Sequence, residues 1–252
     1  MPLEDAQLFL TKGMIIDISS FEISIDEFGK ISSNGPIIHT GLDMCPYWLD
    51  IAYDNLVAAE KIHNNLEAAV NDKNDSLVGE LLQKEFLMGM QVVMDSCIAI
   101  DSYYASIKQF ANIPEEILTK WKTNKIARSS QIAETLKRVF FIPQDVFQQI
   151  IVVLKQSFKL RDMAVHPKHG TDVPVLYPEI KKITDWRYSA FRYANAKNVA
   201  GFSLSFILQT AQQKKDNKDK KLISYCDNLV NKIDPIYSKW INSYGELFNK
   251  KI

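Results

Sequence analysis

Cysteine is scarce in this chain. Cys45, Cys97 and Cys226 are its three cysteines in 252 residues, widely spaced and with no CxxC pair. That argues against a disulfide framework and against a thiolate zinc site. Glycine and proline are also few, nine of each, and neither gathers into a linker-like tract. No fixed-period repeat and no low-complexity tract is present. GxGxxG, the P-loop, GxSxG and HExxH are all missing, which argues against a nucleotide-binding α/β fold. No long apolar run is free of polar residues. The closest, residues 86–104, contains Gln91, Asp95 and Asp101. Each Asp near a bilayer centre would cost about 2.5–3.5 kcal/mol, so the run predicts a buried core helix and no membrane contact. The start, MPLEDAQLFL, is acidic and lacks a positively charged lead. No secretory signal is expected from it, and the expected location is a reducing, cytoplasmic compartment.

What is present is an ordinary globular composition, 46% hydrophobic, with a formal net charge of zero. The zero hides a segregation. Residues 1–119 hold 6 basic and 19 acidic side chains, and residues 120–252 hold 24 and 11. A basic half is either a footprint for phosphate or is neutralised by the acidic half, within one molecule or across a dimer. Neutralisation is the default.

Hydrophobic periodicity divides the chain. Ile16 and Ile18 alternate with polar residues, Phe21, Ile23 and Ile25 do so in the other phase, and Ile31, Ile37 and Ile38 lie beyond the turn-like DEFGK. Period two with β-branched residues predicts a hairpin or small sheet lying against the main body, an appendage over residues 1–42. Alone it is too small to be stable. From residue 43 the pattern predicts a single compact helical domain. Trp48, Ile51, Leu56, Ala59, Ile62 and Leu66 share a face of a helix over 46–70. Asp75 or Ser76 caps a second helix running to about Phe110. Pro114 with Glu115 and Glu116 starts a third. Ser129 or Ser130 opens a fourth that ends near Pro143, and residues 144–165 make a fifth. A Pro-containing loop over 167–178 precedes a helix over 184–215, kinked at Gly201. The polar run 214–221 is a solvated turn, and the last helix covers 222–244. The fold class is mainly α: an antiparallel helical bundle with a small N-terminal β element.

One stretch carries chemistry. KLRDMAVHPKHG, residues 159–170, places Arg161, Asp162 and His166 at the end of the fifth helix. A structural account suffices for it: Pro167 stops the helix, cationic Lys159, Arg161 or His166 meet the negative helix end, and Asp162 is a solvated counter-charge. A chemical account reads the same residues as a site. His166 has a reference pKa near 6.5, suited to moving a proton near neutral pH. Arg161 stays cationic and can give two parallel hydrogen bonds to a phosphate. Asp162 and His166 are i and i+4 neighbours, whereas Arg161 and His166 stand about 140° apart around an ideal helix. A helix end distorted by Pro167, or a second copy across a cleft, would be needed to bring them together.

The order Arg161, Asp162, three residues, His166 resembles the signature of HEPN-domain proteins, in which an Arg, often followed by Asn, His or Asp, precedes a His by four to six residues. The all-helical setting at the end of a long apolar helix is similar as well; the N-terminal strands are not covered. The resemblance implies a metal-independent endoribonuclease, or an RNA-binding toxin or defence-like protein, acting as a homodimer with two copies of the motif facing one cleft. It implies catalytic roles for Arg161, Asp162 and His166 and no cofactor. Lys168 stands where one toxin–antitoxin branch of that family carries a modified Tyr, so regulation by that route is not expected. Other members are inert binding or assembly modules, and a non-catalytic helical interaction module is the alternative here.

Further groups complete the list of candidates. Lys159, Lys168, Arg187 and Arg192 are candidate RNA contacts. WRYSAFRYANAK, residues 186–197, interleaves aromatics with cations as nucleic-acid sites do, yet Trp186, Ala190, Tyr193, Ala200, Leu204 and Leu208 also form a helical core stripe, and core is the preferred reading for them. Asp162, His166, His169 and Asp172 form D-x3-H-x2-H-x2-D, a donor set for zinc or manganese, but Pro167 breaks the helical geometry between the two His, and no metal is expected. Asp95 and Asp101 need partners if buried, and Arg161 or another basic residue of 120–197 is expected to supply one.

Overall fold

The computed structural model describes residues 9–11, 13–166, 172–216 and 219–247. The chain divides into two compact units, Met1–Met44 and Cys45–Ile252. The first holds an antiparallel hairpin of β1 (Met14–Ile25) and β2 (Ile31–Leu42). Its turn is closed by Asp26, whose carboxylate accepts from the backbone N–H of Phe28 and of Lys30 at 3.0 and 2.9 Å, and by Gly29 at φ +76°. Met14 pairs with Leu42, Ile18 with Ile38 and Ile25 with Ile31, with register shifts on both sides of Ser20. An extra residue in a strand reverses its side-chain alternation. The change of phase between Ile18 and Ile23 thus coincides with these register shifts. Ile16, Ile18, Ile23 and Ile25 are the four isoleucines of the alternating pattern. These four side chains are exposed.

The second unit is mainly helical. α1 (Cys45–Asn71) and α2 (Asp75–Ile107) form a helical hairpin. Their turn is tight because Lys73 takes a left-handed conformation, φ 54°. Asn74, rather than Asp75 or Ser76, caps α2: its side chain accepts from the N–H of Leu77, and Asp75 sits in the first turn, where its charge meets the positive helix end. A short 3₁₀ turn (Lys108–Phe110) follows. α3 (Glu115–Thr123) starts after Pro114, α4 (Arg128–Phe140) ends at a left-handed Phe141, and α5 (Gln144–Val165) starts after Pro143.

The segment beyond departs from the sequence reading. A small hairpin, β3 (Val175–Tyr177) and β4 (Lys182–Thr184), replaces part of the expected loop and helix start. One helix was expected over 184–215, but two are found, α6 (Trp186–Ala190) and α7 (Tyr193–Gln212). They are separated at Phe191 and Arg192, where Arg192 is extended (φ −63°, ψ 158°). Gly201 lies within α7. It permits close packing, since a Cβ there would lie 2.8 Å from Leu247 Cδ2 and 3.1 Å from Trp240. α8 (Lys220–Tyr244) contains Pro235 and is capped by Asp219.

α2 is the spine. Over 33 residues it spans about 50 Å. Its Val92, Ile100 and Tyr103 join Leu136 of α4, Leu154 of α5 and Ile207 of α7 in the main core. A smaller core lies at the α1–α2 turn, where Leu66 and Val78 pack with Tyr177. All three cysteines are buried, and none is in a disulfide. Among the described residues no helix is long and apolar enough to cross a membrane.

Candidate functional site

An open cleft of about 920 Å³ runs along one side of α5. Lys155, Phe158, Lys159, Asp162, Met163 and His166 line it. They succeed one another at steps of three, one, three, one and three residues, the spacing of a single helical face. The start of α4 contributes Arg128, and Asp172, Val173 and Trp186 close the opposite side. Arg161 also borders the cleft. Arg161 and His166 thus meet one solvent-reachable space although they are five residues apart on one helix. At His166 the backbone leaves the helix (φ −125°, ψ 65°) while its N–H still donates to Asp162 O at 2.8 Å. The side chain is exposed.

Arg161 is the most restrained side chain of the site. Nη1 donates to Asp101 Oδ2 of α2 at 3.0 Å, Nη2 and Nε donate to Asp162 Oδ1 at 2.8 and 3.1 Å, and the guanidinium lies 4.6 Å from the centre of the Phe158 ring. Three of its five N–H groups are engaged, and the other two form no hydrogen bond among the described residues. Asp101 is shared. Arg128 Nε lies 3.2 Å from its Oδ1, and the Arg128 guanidinium sits over Tyr104 at 4.9 Å. Burial raises the Asp101 carboxyl above its ordinary range, the Arg128 and Arg161 cations oppose the rise, and the Asp162 carboxylate adds to it. The partner expected for Asp101 is thus found, and two cations supply it. Asp95 instead takes neutral amides, Asn55 Nδ2 at 2.8 Å and Gln91 Nε2 at 2.7 Å. Cys97 lies near these charges, but it is fully buried, and burial pushes its thiol up to about 12.

The other sequence candidates disperse. Lys159 lies on the cleft face of α5, one turn after Lys155, which sequence reading passed over. Both are exposed and neither forms an ion pair among the described residues. Arg187 is held by Asp185 Oδ2 at 2.8 Å and lies 5.1 Å from the Trp186 ring centre. Arg192 is elsewhere, 3.1 Å from Glu179 Oε1, and does not line the cleft. Lys168 and His169 lie outside the described residues. Of the four-residue donor set, Asp162 binds Arg161, and Asp172 Oδ2 accepts from the Trp186 indole N–H at 2.7 Å. Among the described residues no group of three or more His, Cys, Asp or Glu is placed to hold a metal ion.

Trp186 is half-buried and part of the cleft wall, not of a continuous core stripe. The stripe breaks with the helix at Phe191. Of its members Ala200, Leu204 and Leu208 are buried. Lys155 had a readable signal, a cation one helical turn before Lys159 on the same helix. The contribution of Arg128 depends on α4 crossing α5 and could not be read from spacing.

A second polar constellation, fully internal, went unrecognised. His63 of α1 is 8% exposed and Glu85 of α2 is 0% exposed. His63 Nδ1 and Glu85 Oε1 are 3.1 Å apart, and the same oxygen accepts the backbone N–H of Tyr193 at 2.7 Å. The imidazole stacks on the Tyr193 ring at 5.2 Å. The hydrogen bond to Glu85 raises the His63 pKa above 6.5, against the effect of burial. Glu85 Oε2 and the Tyr177 hydroxyl are both buried, and the nearby Glu85 acts on the Tyr177 hydroxyl. Leu49, Ala52, Leu56, Ala59, His63 and Leu66 form the inner stripe of α1, rotated from the expected one, and Ile51 is exposed. The three-and-four spacing through His63 was the available signal.

Comparison with protein-family models, with curated protein sequences and with solved structures gave no match.

Proposed function

We propose that the α5 cleft binds single-stranded RNA and cleaves it without a metal, in the manner of HEPN ribonucleases. The observation that supports this reading is the convergence of Arg161 and His166 on one open cleft, beside the exposed Lys155 and Lys159. Cations along the groove neutralise backbone phosphates, and the half-buried Met163 and Trp186 offer apolar surface to bases. The ribose 2′-oxygen attacks the adjacent phosphorus, the bond to the 5′-oxygen breaks, and a 2′,3′-cyclic phosphate and a 5′-hydroxyl form. His166 performs one of the two proton transfers, from the 2′-hydroxyl or to the leaving oxygen, and a second copy of the chain supplies the other. The other two N–H groups of Arg161 hold the phosphate as charge grows on it.

The test is wild type, His166→Ala and Arg161→Ala on a mixed-sequence single-stranded RNA in EDTA, with melting followed in parallel. His166→Ala lowers cleavage by roughly 10²–10⁴-fold with melting unchanged, and Arg161→Ala also weakens binding. Equal cleavage by wild type and His166→Ala would overturn the assignment.

One observation favours a second reading. Arg161 ties α5 to α2 through Asp101, and Asp101 reaches α4 through Arg128. In a non-catalytic interaction module this linkage alone accounts for the arginine. That reading predicts no cleavage of any RNA and a fold that loosens in Arg161→Ala.

A further inference from the structure

We infer that Trp186 is a stacking platform for an unpaired nucleobase at the edge of the α5 cleft. The inference rests on the RNA reading of that cleft and adds what the cleft selects: single strands with exposed bases.

The indole is held by charged neighbours, one of which, Asp172, lines the cleft with it. Its N–H donates to Asp172 Oδ2 at 2.7 Å. The Arg187 guanidinium lies 5.1 Å from the ring centre and is itself fixed by Asp185, with Nη1 at 2.8 Å from Oδ2. Arg187 Nη2 lies 4.0 Å from Asp172 Oδ2. Asp185 also caps α6, accepting from the backbone N–H of Arg187 at 2.8 Å. These contacts lock the ring's orientation before any ligand arrives. Trp186 lines the cleft and Arg187 does not. Trp186 is half-buried, and the surface it keeps borders the cleft.

A half-buried Trp with its one polar atom already satisfied gains nothing further from a hydrogen-bonding ligand. What it offers is a flat π surface, and a flat ring is the complementary group. Cations across the same space, Arg128, Lys155 and Lys159, account for the phosphates of that nucleotide and its neighbours. Double-stranded RNA keeps its bases stacked inside and cannot use the platform.

The experiment compares a short oligoadenylate with an abasic ribose-phosphate oligomer of equal length, titrated into wild type, Trp186→Ala and Trp186→Phe at one salt concentration. Wild type binds the oligoadenylate tighter by roughly 5- to 150-fold, the range for one base–aromatic stack. Trp186→Ala loses that preference and keeps its affinity for the abasic oligomer. Trp186→Phe keeps most of the preference but loses the quenching of indole emission that wild type shows, with Trp48, Trp121 and Trp240 as constant background. Should Trp186→Ala fail to fold, the abasic comparison in wild type and the emission of Trp186→Phe decide the matter. Equal binding of both oligomers by wild type, or full quenching in Trp186→Phe, overturns the platform and leaves RNA binding standing. Binding of neither oligomer overturns the RNA reading together with the platform.

Discussion

His63 and His166 sit in opposite circumstances. His63 is enclosed between helices, stacked on Tyr193 and bonded to a carboxylate that has no exposure at all. His166 is exposed at the point where α5 ends. Arg192 and Arg161 repeat the contrast. Both are mostly covered and both face carboxylates, but Arg161 borders an open cleft and Arg192 does not. Burying a charge requires a partner that stays in place. The inner constellation is therefore specified by packing, and any change there is felt as stability. The cleft keeps one charged group tethered and leaves others in water, so a change there is felt first in what the cleft holds. An ionisable residue is thus not functional because it is polar or paired; what matters is whether a ligand can reach it.

The largest expected effect lies on the inner side. Gly89 follows Glu85 by one helical turn on α2, and a Cβ there would stand 1.8 Å from the carbonyl oxygen of Phe191. That close approach brings the break between α6 and α7 against α2, where Glu85 takes up the Tyr193 N–H. Neither backbone can yield without disturbing the other. Gly89→Ala is expected to cost about 3 kcal/mol or more, the upper end for overpacking. Gly79→Ala, on the same helix with nothing within 4 Å of the added carbon, is expected to be neutral or to stabilise by up to about 1 kcal/mol. Urea denaturation of both variants measures the difference. Equal midpoints would mean that the contact with Phe191 is not maintained.

A smaller effect is read through pH. The folded pKa of His63 is raised above 6.5, first by its hydrogen bond to Glu85 and further by Glu67 and Glu179. A raised pKa means that the folded state holds the proton more firmly than the unfolded chain. The stabilisation is full below about 6.5, the unfolded value, and is lost as pH rises through the folded value. Melting temperatures of wild type and His63→Asn, measured from pH 6 to pH 9, are therefore expected to differ most at pH 6 and to approach each other as pH rises. A difference that stays constant or widens would contradict the ion pair. Tyr193 gives a second view of the same place, because the imidazole stacks on its ring.

The contrast between the two constellations also explains what the sequence disclosed. Helix α5 was read to the residue because Pro143 and Pro167 bracket an apolar-periodic run, and proline acts locally. The hairpin's change of phase was visible, and the register shifts coincide with it. Arg161, Asp162 and His166 were found together because one helix end carries all three. The break at Phe191 was missed because the apolar stripe continues through it, with Phe191 itself buried. Strands β3 and β4 have three residues each, too short to display an alternation. His63 and Glu85 were passed over because they become neighbours only when α1 folds back on α2. Arg128, Lys155 and Trp186 join the cleft through three separate elements. Local chemistry is legible in a single sequence, whereas convergence depends on contacts between distant segments.

Asp101 is where the comparison can be sharpened with the smallest disturbance. It is the one carboxylate of the cleft region that resembles the inner set, raised in pKa by burial and held by two arginines. Its side chain keeps about a quarter of its exposure, 26%, so water screens both pairs and their net worth is of the order of 1 kcal/mol or less. Asp101→Asn preserves shape and one acceptor for Arg161 Nη1 while removing the charge. Ionising a carboxyl whose folded pKa is raised opposes folding at neutral pH, and the substitution relieves that cost as it weakens the two ion pairs. The two effects oppose each other, and the melting temperature at pH 7 is expected to move by no more than a few degrees. Affinity for single-stranded RNA is expected to rise about two- to tenfold, because Arg161 and Arg128 lose a competing anion. The gain should shrink as salt is raised from 50 to 300 mM, since the freed charge acts through phosphate. Filter binding on wild type and Asp101→Asn across that salt series gives both quantities. Unchanged affinity with a melting temperature lowered by ten degrees or more would move Asp101 and Arg161 into the same class as Glu85 and His63, a structural pair at the edge of an open space.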